Sequence, residues 1–435
     1  MDNGEPMQSV VAGGAATPDQ PVRATERLVS LDFIRGIAVL GILFANITAF
    51  GQPYMAYFWP EALAEPATAG DKNVWLFQTI FIDHKFRGLF SLLFGAGIYL
   101  FMERAWARGS GRWLQARRLG WLLAFGLAHY FLIWRGDILA AYAIAGLLAL
   151  PMLKWTARRQ LTVGLVAYVL GFLLMAALMA GNYAAAHLPA VQAQLTAEQK
   201  EDLADAPRKS IEGAREEVEL YRDGSYGEIV ATTAREESGN LLTEILFVPL
   251  TETIALMLIG MGLYRMGFFG GAFDRAKMRR WGWIGIVAGA LVTLPIALWP
   301  YRTGFDFFTT LFVFNGVGRI GQLPMALGMA ALFVLWAPRA TQGWLGSRFA
   351  AAGRMAFSNY LGTSIVMMFV FHGWALGLFG YLGRVELIGV VLLSWAAMLA
   401  WSKPWLAHFR YGPLEWLWRC LTYGKVFPLR RTALK

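Results

Sequence analysis

"RLVSLDFIRGIAVLGILFANITAF", residues 27–50, places an acid and a base, Asp32 and Arg35, at the head of a segment apolar enough to enter a membrane. What the two charges do depends on the solvent around them, and composition decides that. Hydrophobic residues make up 57% of the 435 positions and charged residues only 16%, against about a quarter charged in soluble domains. The chain therefore reads as an integral membrane protein. A helical span needs roughly 20 mostly apolar residues. Ten such runs follow one another, near 31–50, 86–102, 119–134, 138–153, 161–181, 245–264, 282–299, 310–337, 356–378 and 385–402. They are continuous rather than alternating, which argues against a β-barrel. The expected fold class is all-α: a polytopic membrane protein of ten transmembrane helices with an interfacial C-terminal helix.

The runs divide the chain. Residues 1–26 read as a disordered cytoplasmic tail, 27–181 as a bundle of five spans, 182–243 as an extracytoplasmic loop, 244–402 as a second five-span bundle, and 403–435 as a cytoplasmic interfacial helix and tail. The tail has no apolar core of a cleaved signal, so the first span is its own targeting signal. The one cysteine, Cys420, excludes an intramolecular disulfide, and no Cys/His cluster has zinc spacing, so no metal is expected. The net charge of +10 reflects topology rather than nucleic acid. With the N-terminus inside and ten alternating spans, the inner segments hold 25 of the 39 basic residues. By the positive-inside rule this puts the chain in the cytoplasmic (inner) membrane with both termini cytoplasmic and anionic lipid as a partner.

The 182–243 segment has helix-forming composition broken by Pro and Gly. It predicts two or three short helices acting as a solvated connector, with a lid or acceptor contact as the alternative. Near the C-terminus, "WLAHFRYGPLEWLWRCLTYGK" is too charged to span, yet Trp405, Trp416, Trp418 and Tyr423 are interface residues. A helix in the inner headgroup layer follows, with Glu415 and Arg419 as a supporting pair.

At the head of the first span two readings stand side by side. In one, Ser30 caps the helix, Asp32 sits in the first turn where the dipole favours a carboxylate, and Arg35 pairs with it at i+3. In the other, Arg35 and Arg354, with Asp32 beside them, grip a phosphate arriving from the cytoplasm.

"SLDFIRGIAVLGILFAN" resembles the (I/L)DxxRGxA signature that opens the transmembrane acyltransferases, a group that includes the lysosomal heparan-glucosaminide N-acetyltransferase and bacterial sugar O-acyltransferases. "FRGLFSLLFGAGIYL", "LAHYFLIWRGDILAAYAI", "AAGRMAFSNYLGTS" and "RYGPLEWLWRCLTYG" together resemble YeiB-type bacterial membrane proteins, whose C-terminal region is a domain of unknown function (418). With the opening signature these pieces run in order from residue 27 to 424. The resemblance implies acyl transfer across the membrane: acyl-CoA, as acetyl-CoA, is the co-substrate, and a hydroxyl or amine of an extracytoplasmic acceptor such as a sugar or glycolipid receives the group. It also implies a catalytic histidine, but not where to find it. The sugar O-acyltransferases carry one eleven residues after the signature arginine, where this chain has Asn46. The lysosomal enzyme carries one soon after that asparagine, and residues 47–83 here contain none.

The chain's own histidines narrow the search. His187 and His408 fall in the loop and the tail, whereas His84, His129 and His372 lie in or beside spans at the outer side, where ionisable groups default to functional roles. His84 shares "FIDHKFRGLF" with three ionisable neighbours, Asp83, Lys85 and Arg87. His372 stands alone in "MMFVFHGWALG", as a helix-bridging histidine would. His129 has an acid, Asp137, at the same end, and imidazole oriented by carboxylate is the base that acyl transfer from a thioester requires. Eight residues of straight helix would hold them about 12 Å apart, so the chain must turn at Arg135–Gly136. The alternative leaves Asp137 capping the next helix and paired to Arg135. Catalysis is thus assigned to His129 and Asp137, the CoA contacts to Arg35, Arg354 and Asp32, and acceptor contacts to Asn46, His84, His372, Glu252, Arg319, Gln322 and Asn359, each of which could instead bond helix to helix. Gly95/Gly97 and Gly260/Gly262 read as close-packing points. The competing class is a transporter or flippase of a polar or lipid-linked substrate past the same groups. A homodimer is one permitted assembly.

Overall fold

The computed structural model describes residues 28–236, 247 and 249–431. The tail 1–26 and most of the opening of the sixth apolar run lie outside the described residues. Among the described residues the regular structure is helical, apart from one isolated antiparallel bridge between Phe409 and Arg430. The helices that organise the molecule are α1 Val29–Gly51, α2 Ala69–Phe81, α3 Lys85–Ala107, α4 Arg112–Leu132, α5 Leu139–Ala149, α6 Ala157–His187, α7 Ala197–Asp223, α8 Tyr226–Glu236, α9 Ile254–Arg265, α10 Arg275–Arg302, α11 Gln322–Ala340, α12 Trp344–Arg354, α13 Ala356–Phe371, α14 Arg384–His408 and α15 Pro413–Tyr423.

Among the described residues helix occupies most of each of the ten apolar runs, and six helical stretches are long and apolar enough to cross a membrane. The others fall short for readable reasons. Arg112, Arg117 and Arg118 load the first turns of α4. Pro151 turns the end of α5 into a 3₁₀ segment, and α13 stops before His372. The apolar window of α1 is 72% buried by the rest of the chain, whereas those of α6, α10 and α14 are only 17%, 22% and 22% buried. The first helix is therefore the axle of the fold. The other three turn rows of Leu, Val and Trp outward, as Leu173, Leu291 and Leu393 do, a surface suited to hydrocarbon.

Glycine at the helix crossings fixes how closely the core packs. A Cβ on Gly95 would lie 2.1 Å from the Met257 carbonyl oxygen, and one on Gly260 2.0 Å from that of Leu92, so α3 and α9 touch backbone to backbone as the close-packing reading expects. The same device joins α1 to α12. A Cβ on Gly353 would fall 1.8 Å from the Asp32 carbonyl oxygen, and one on Gly36 2.0 Å from that of Phe349.

Three sequence expectations are corrected here. Ser30 does not cap α1: the residue preceding the helix is Leu28, and Ser30 Oγ donates to the Phe269 carbonyl at 2.7 Å. In the described part of the loop, up to residue 236, three helices follow the end of α6, namely Pro189–Gln192, α7 and α8, which is the number expected, but α7 is not short. α6 runs on to His187, and α7 is one 27-residue helix opened by a Thr196/Gln199 capping box and continuing through Pro207. Nor is it a detached connector. Glu217 accepts from Arg135 at 2.8 Å and from the Tyr54 amide at 2.9 Å, Arg222 Nε donates to the Phe379 carbonyl at 2.8 Å, and the Gly373 amide donates to the Tyr221 carbonyl at 2.8 Å. These bonds seat α7 on the His129 end of the helices.

Candidate functional site

The Gly36–Gly353 crossing has a direct consequence for the charges at the head of α1. Each glycine adjoins an arginine, Arg35 and Arg354, and both arginines line one cavity of about 290 Å³. Gly97 leaves room opposite, its Cβ position 3.9 Å from the Arg35 guanidinium. Six arginines line this cavity, namely Arg35, Arg104, Arg118, Arg354, Arg410 and Arg419, against two acids, Asp32 and Glu415. Arg35 pairs with Asp32 at 2.9 Å, the i+3 pair of the first reading, at the wall of the cavity that the phosphate reading needs. Arg118 lies between the rings of Phe101 at 4.6 Å and Trp418 at 4.2 Å, and Arg419 lies over Tyr411 at 4.3 Å. The tail helix thus forms a wall of the cavity, a role that sequence reading missed. Its Glu415 accepts from the Phe357 and Ser358 amides at 2.8 and 3.1 Å and from Ser358 Oγ at 2.5 Å, bonds beyond the supporting pair expected.

Away from the arginines the lining turns apolar, through Val39, Ile42, Phe90, Phe94 and Leu122, and reaches Ile138, Leu139 and Tyr360. Directly behind that end stand His129 and Asp137. Eleven residues of α4 separate Arg118 from His129, about 16 Å along a helix. His129 Nδ1 is 2.8 Å from Asp137 Oδ1, and both side chains are fully buried. The chain makes the turn that the spacing demanded. α4 ends at Leu132, Trp134 stacks on Phe50 with centroids 3.9 Å apart, and Gly136 lies where any Cβ would strike the Trp134 ring. Asp137 Oδ2 also accepts from the Ala140 amide at 2.7 Å and so starts α5. Gly126 permits the approach, since a Cβ there would lie 2.4 Å from the Ala140 nitrogen. The carboxylate can only accept, which places the proton on Nδ1 and leaves Nε2 with its lone pair. That Nε2 is buried with no hydrogen-bond partner among the described residues. The His129 ring is 5.4 Å from that of Tyr360, which forms part of the cavity wall.

A second polar cluster gathers Glu252, Arg319, Gln322 and His84. Glu252 accepts from Arg87 at 2.9 Å, from Gln322 at 2.6 Å and from Arg319. The backbone is irregular on both sides, with π turns at Pro249–Thr253 and Phe312–Gly316 and a 3₁₀ turn at Val317–Gly321. His84, at a strained φ of 62°, meets the Phe314 carbonyl through Nε2 at 3.1 Å and Arg87 through Nδ1 at 3.1 Å. Since the carbonyl only accepts and the guanidinium only donates, both ring nitrogens are engaged. Arg87 is the hub that sequence reading missed, although "FRGLF" carried it.

The remaining predicted residues are elsewhere. His372 Nδ1 accepts from Trp374 at 3.2 Å, and its ring meets Tyr221 of α7 edge to face at 4.8 Å. Asn359 donates to the Ala352 carbonyl and Ser402 Oγ at 3.1 and 3.2 Å and accepts from Trp401 at 2.9 Å, joining α12, α13 and α14. Asn46 is half-buried in the last third of α1 and does not line the cavity. Among the described residues no cluster of His, Cys, Asp or Glu is arranged to hold a metal.

Comparison with known proteins bears on the whole of this architecture. Residues 263–425, which include Arg354, Arg410 and Arg419, match the family described as "Protein of unknown function (DUF418)". The chain is 32% identical over 408 residues to a protein named "Uncharacterized protein YeiB" from Escherichia coli K12, covering 93% of this chain and 98% of that one. The chain belongs to the YeiB-like DUF418 family. A second member of similar length, "Uncharacterized protein YxaH" of Bacillus subtilis 168, is 28% identical over 433 residues, covering 95% of this chain and 98% of that one. No solved structure matches the chain. The similarity to YeiB spans nearly its full length, while the DUF418 match itself takes in Arg319, Arg354 and the tail helix but not His129, Asp137 or Arg87.

Proposed function

We propose that this DUF418 protein is a ten-span inner-membrane acyltransferase, its arginine end cytoplasmic, which moves an acyl group, acetyl in the simplest case, from acyl-CoA to a hydroxyl or amine of an extracytoplasmic acceptor. The observation that carries the reading is the continuity of one cavity from six arginines to the residues flanking Asp137 and His129. Guanidinium groups grip phosphate through bidentate, charge-assisted hydrogen bonds, and rings such as Trp418 and Tyr411 give a heteroaromatic base a surface to stack on. The apolar stretch beyond them suits a thin thioester arm. Behind its end, across the Tyr360 wall, His129 Nε2, freed by the Nδ1–Asp137 bond, takes the proton of the attacking hydroxyl or amine as that group adds to the thioester carbonyl. For this step the wall at Tyr360 must open. Collapse of the tetrahedral intermediate expels the CoA thiolate, which receives the proton back from His129. Asp137 fixes the tautomer and steadies the imidazolium between the two steps.

A transporter or flippase would use the same polar groups as a path, and the broken helices beside Glu252 are the feature that favours it. Acyl-CoA binding separates the two. The purified protein should bind acetyl-CoA and hydrolyse it slowly when no acceptor is present. Arg35→Ala and Arg354→Ala should each weaken binding by about 1.5–3 kcal/mol, roughly ten- to hundredfold, with the unfolding midpoint nearly unchanged. Absence of binding by the wild type removes the acyltransferase reading, and collapse of stability without loss of affinity returns the arginines to a purely capping and packing role.

A further inference from the structure

The Arg87 cluster carries more positive charge than its own acids can balance. Lys85, Arg87, Arg319 and Arg384 share three carboxylates, Asp71, Asp83 and Glu252. Lys85 and Arg384 are absorbed locally. The Lys85 ammonium donates to the Thr79 carbonyl at 2.5 Å, and Arg384 donates to Gln78 and to the carbonyls of Ala56 and Tyr57 at 2.6–3.0 Å. Arg87 and Arg319 are not absorbed in this way. Both converge on the single Glu252, Arg87 also donating to His84 Nδ1 at 3.1 Å, and the Nε of each is buried with no acceptor among the described residues. The Nε of Arg384 is too, but its terminal nitrogens are held by neutral acceptors and share no carboxylate. Two guanidinium groups with open donor edges around one carboxylate are an incomplete ion cluster, because a buried charge requires a counter-charge and a buried donor an acceptor.

Two further observations point to a ligand. The Arg87 side chain keeps 31% of its surface accessible while Glu252 keeps 3% and Arg319 8%, so the cluster opens at Arg87. The backbone around it leaves the α-helical ladder at Pro249–Thr253 and at Phe312–Gly321, and non-helical backbone among apolar helices is tolerated where it lines a cavity or a site. The cluster also borders the reaction centre. Tyr142, on the helix that Asp137 starts, donates to the Arg87 carbonyl at 3.2 Å and accepts from Ser91 at 3.0 Å.

We infer that Arg87 and Arg319 form a binding site for an oxyanion, a phosphate or carboxylate group carried by the acceptor, with Glu252 holding the two guanidinium groups in register until it arrives. The assignment to the acceptor rests on the acyl-transfer reading; the oxyanion site itself does not. The group would come either from a soluble acidic sugar or from an anionic lipid headgroup.

The full-length protein in neutral detergent would be titrated with inorganic phosphate and, separately, with glucuronate, following the unfolding midpoint against a chloride control of equal ionic strength. At least one probe should raise the midpoint. Glu252→Gln removes the competing carboxylate and should lower the concentration required, whereas Arg87→Gln and Arg319→Gln should raise it by at least about tenfold. The opposite signs keep the test informative should one variant fold poorly. In nanodiscs, suppression of the response by phosphatidylglycerol supports a lipid source, and indifference to it supports a soluble one. No response to either probe in the wild type and in Glu252→Gln, or an unchanged response in the arginine variants, overturns the site. Acetyl-CoA hydrolysis measured on the same samples separates the two readings. Its absence alongside a normal oxyanion response removes acyl transfer and leaves the site, and the converse removes the site alone.

Discussion

Three histidines occur at comparable depth, and their hydrogen bonds tell them apart. His84 has both nitrogens engaged, His372 accepts from Trp374, and His129 alone of the three couples a carboxylate on Nδ1 to a buried, unpartnered Nε2. A positioned base contributes about 10²–10⁴-fold, so His129→Ala should abolish measurable acyl transfer while acetyl-CoA binding persists. Asp137→Asn should be slower than wild type but faster than the histidine variant, and the double variant little worse than His129→Ala, because members of one unit are not additive. Near-normal transfer by His129→Ala would remove it as the base. This pair was legible in the sequence because its constraint is local: eight residues with a glycine that lets the chain turn. Arg87 was not, because the partner that gives it meaning, Glu252, is 165 positions away, and a lone arginine beside a histidine carries no sign of a distant carboxylate.

At the scale of elements, the tail helix shows what amphipathic patterning leaves out. Its Trp and Tyr residues announced a helix in the headgroup layer; α15 is a helix, and its inward face closes the arginine cavity through Trp418 and Arg419. The anchor is Glu415. Burial is the largest influence on this carboxyl and pushes its pKa above the ordinary 4.5, against the opposing hydrogen bonds from Ser358 and Phe357. A carboxyl whose native pKa is raised binds its proton more tightly when folded, so the stability it contributes is full below pH 4.5 and is lost as pH rises through the higher native value. Unfolding midpoints measured from pH 4 upward should therefore decline across that window, and Glu415→Gln, which has no proton to lose, should flatten the decline. An identical slope in both proteins would mean that another group sets it. The loop helix α7 was misread for a related reason. Pro207 and the glycines argued for interruption, yet Glu217, Tyr221 and Arg222 gain partners on other helices that local propensity does not register.

For the whole molecule, the distribution of charge and the distribution of burial support the same arrangement. Five of the arginines of the inner segments in a ten-span topology, Arg104, Arg118, Arg354, Arg410 and Arg419, line one end of the cavity, while His129, Asp137 and the acid-rich α7 gather at the other. The apolar runs were readable because each exceeds what a soluble helix carries. Which of them cross was not, because α5 and α13 are short and α4 is arginine-loaded, and whether such helices span depends on the neighbours that shield them. The proposed transfer from a cytoplasmic donor to an outside acceptor requires that they do span, since only then do the arginine mouth and the loop face opposite compartments. Reporter fusions after Gly109 and after Ala204 test this directly. Gly109 follows the α3 helix at the arginine end, and Ala204 lies within α7. A cytoplasm-active reporter should work at the first and fail at the second, and a periplasm-active one the reverse. Like readings at both sites would place loop and mouth on one side, and transfer across the membrane would no longer describe the molecule.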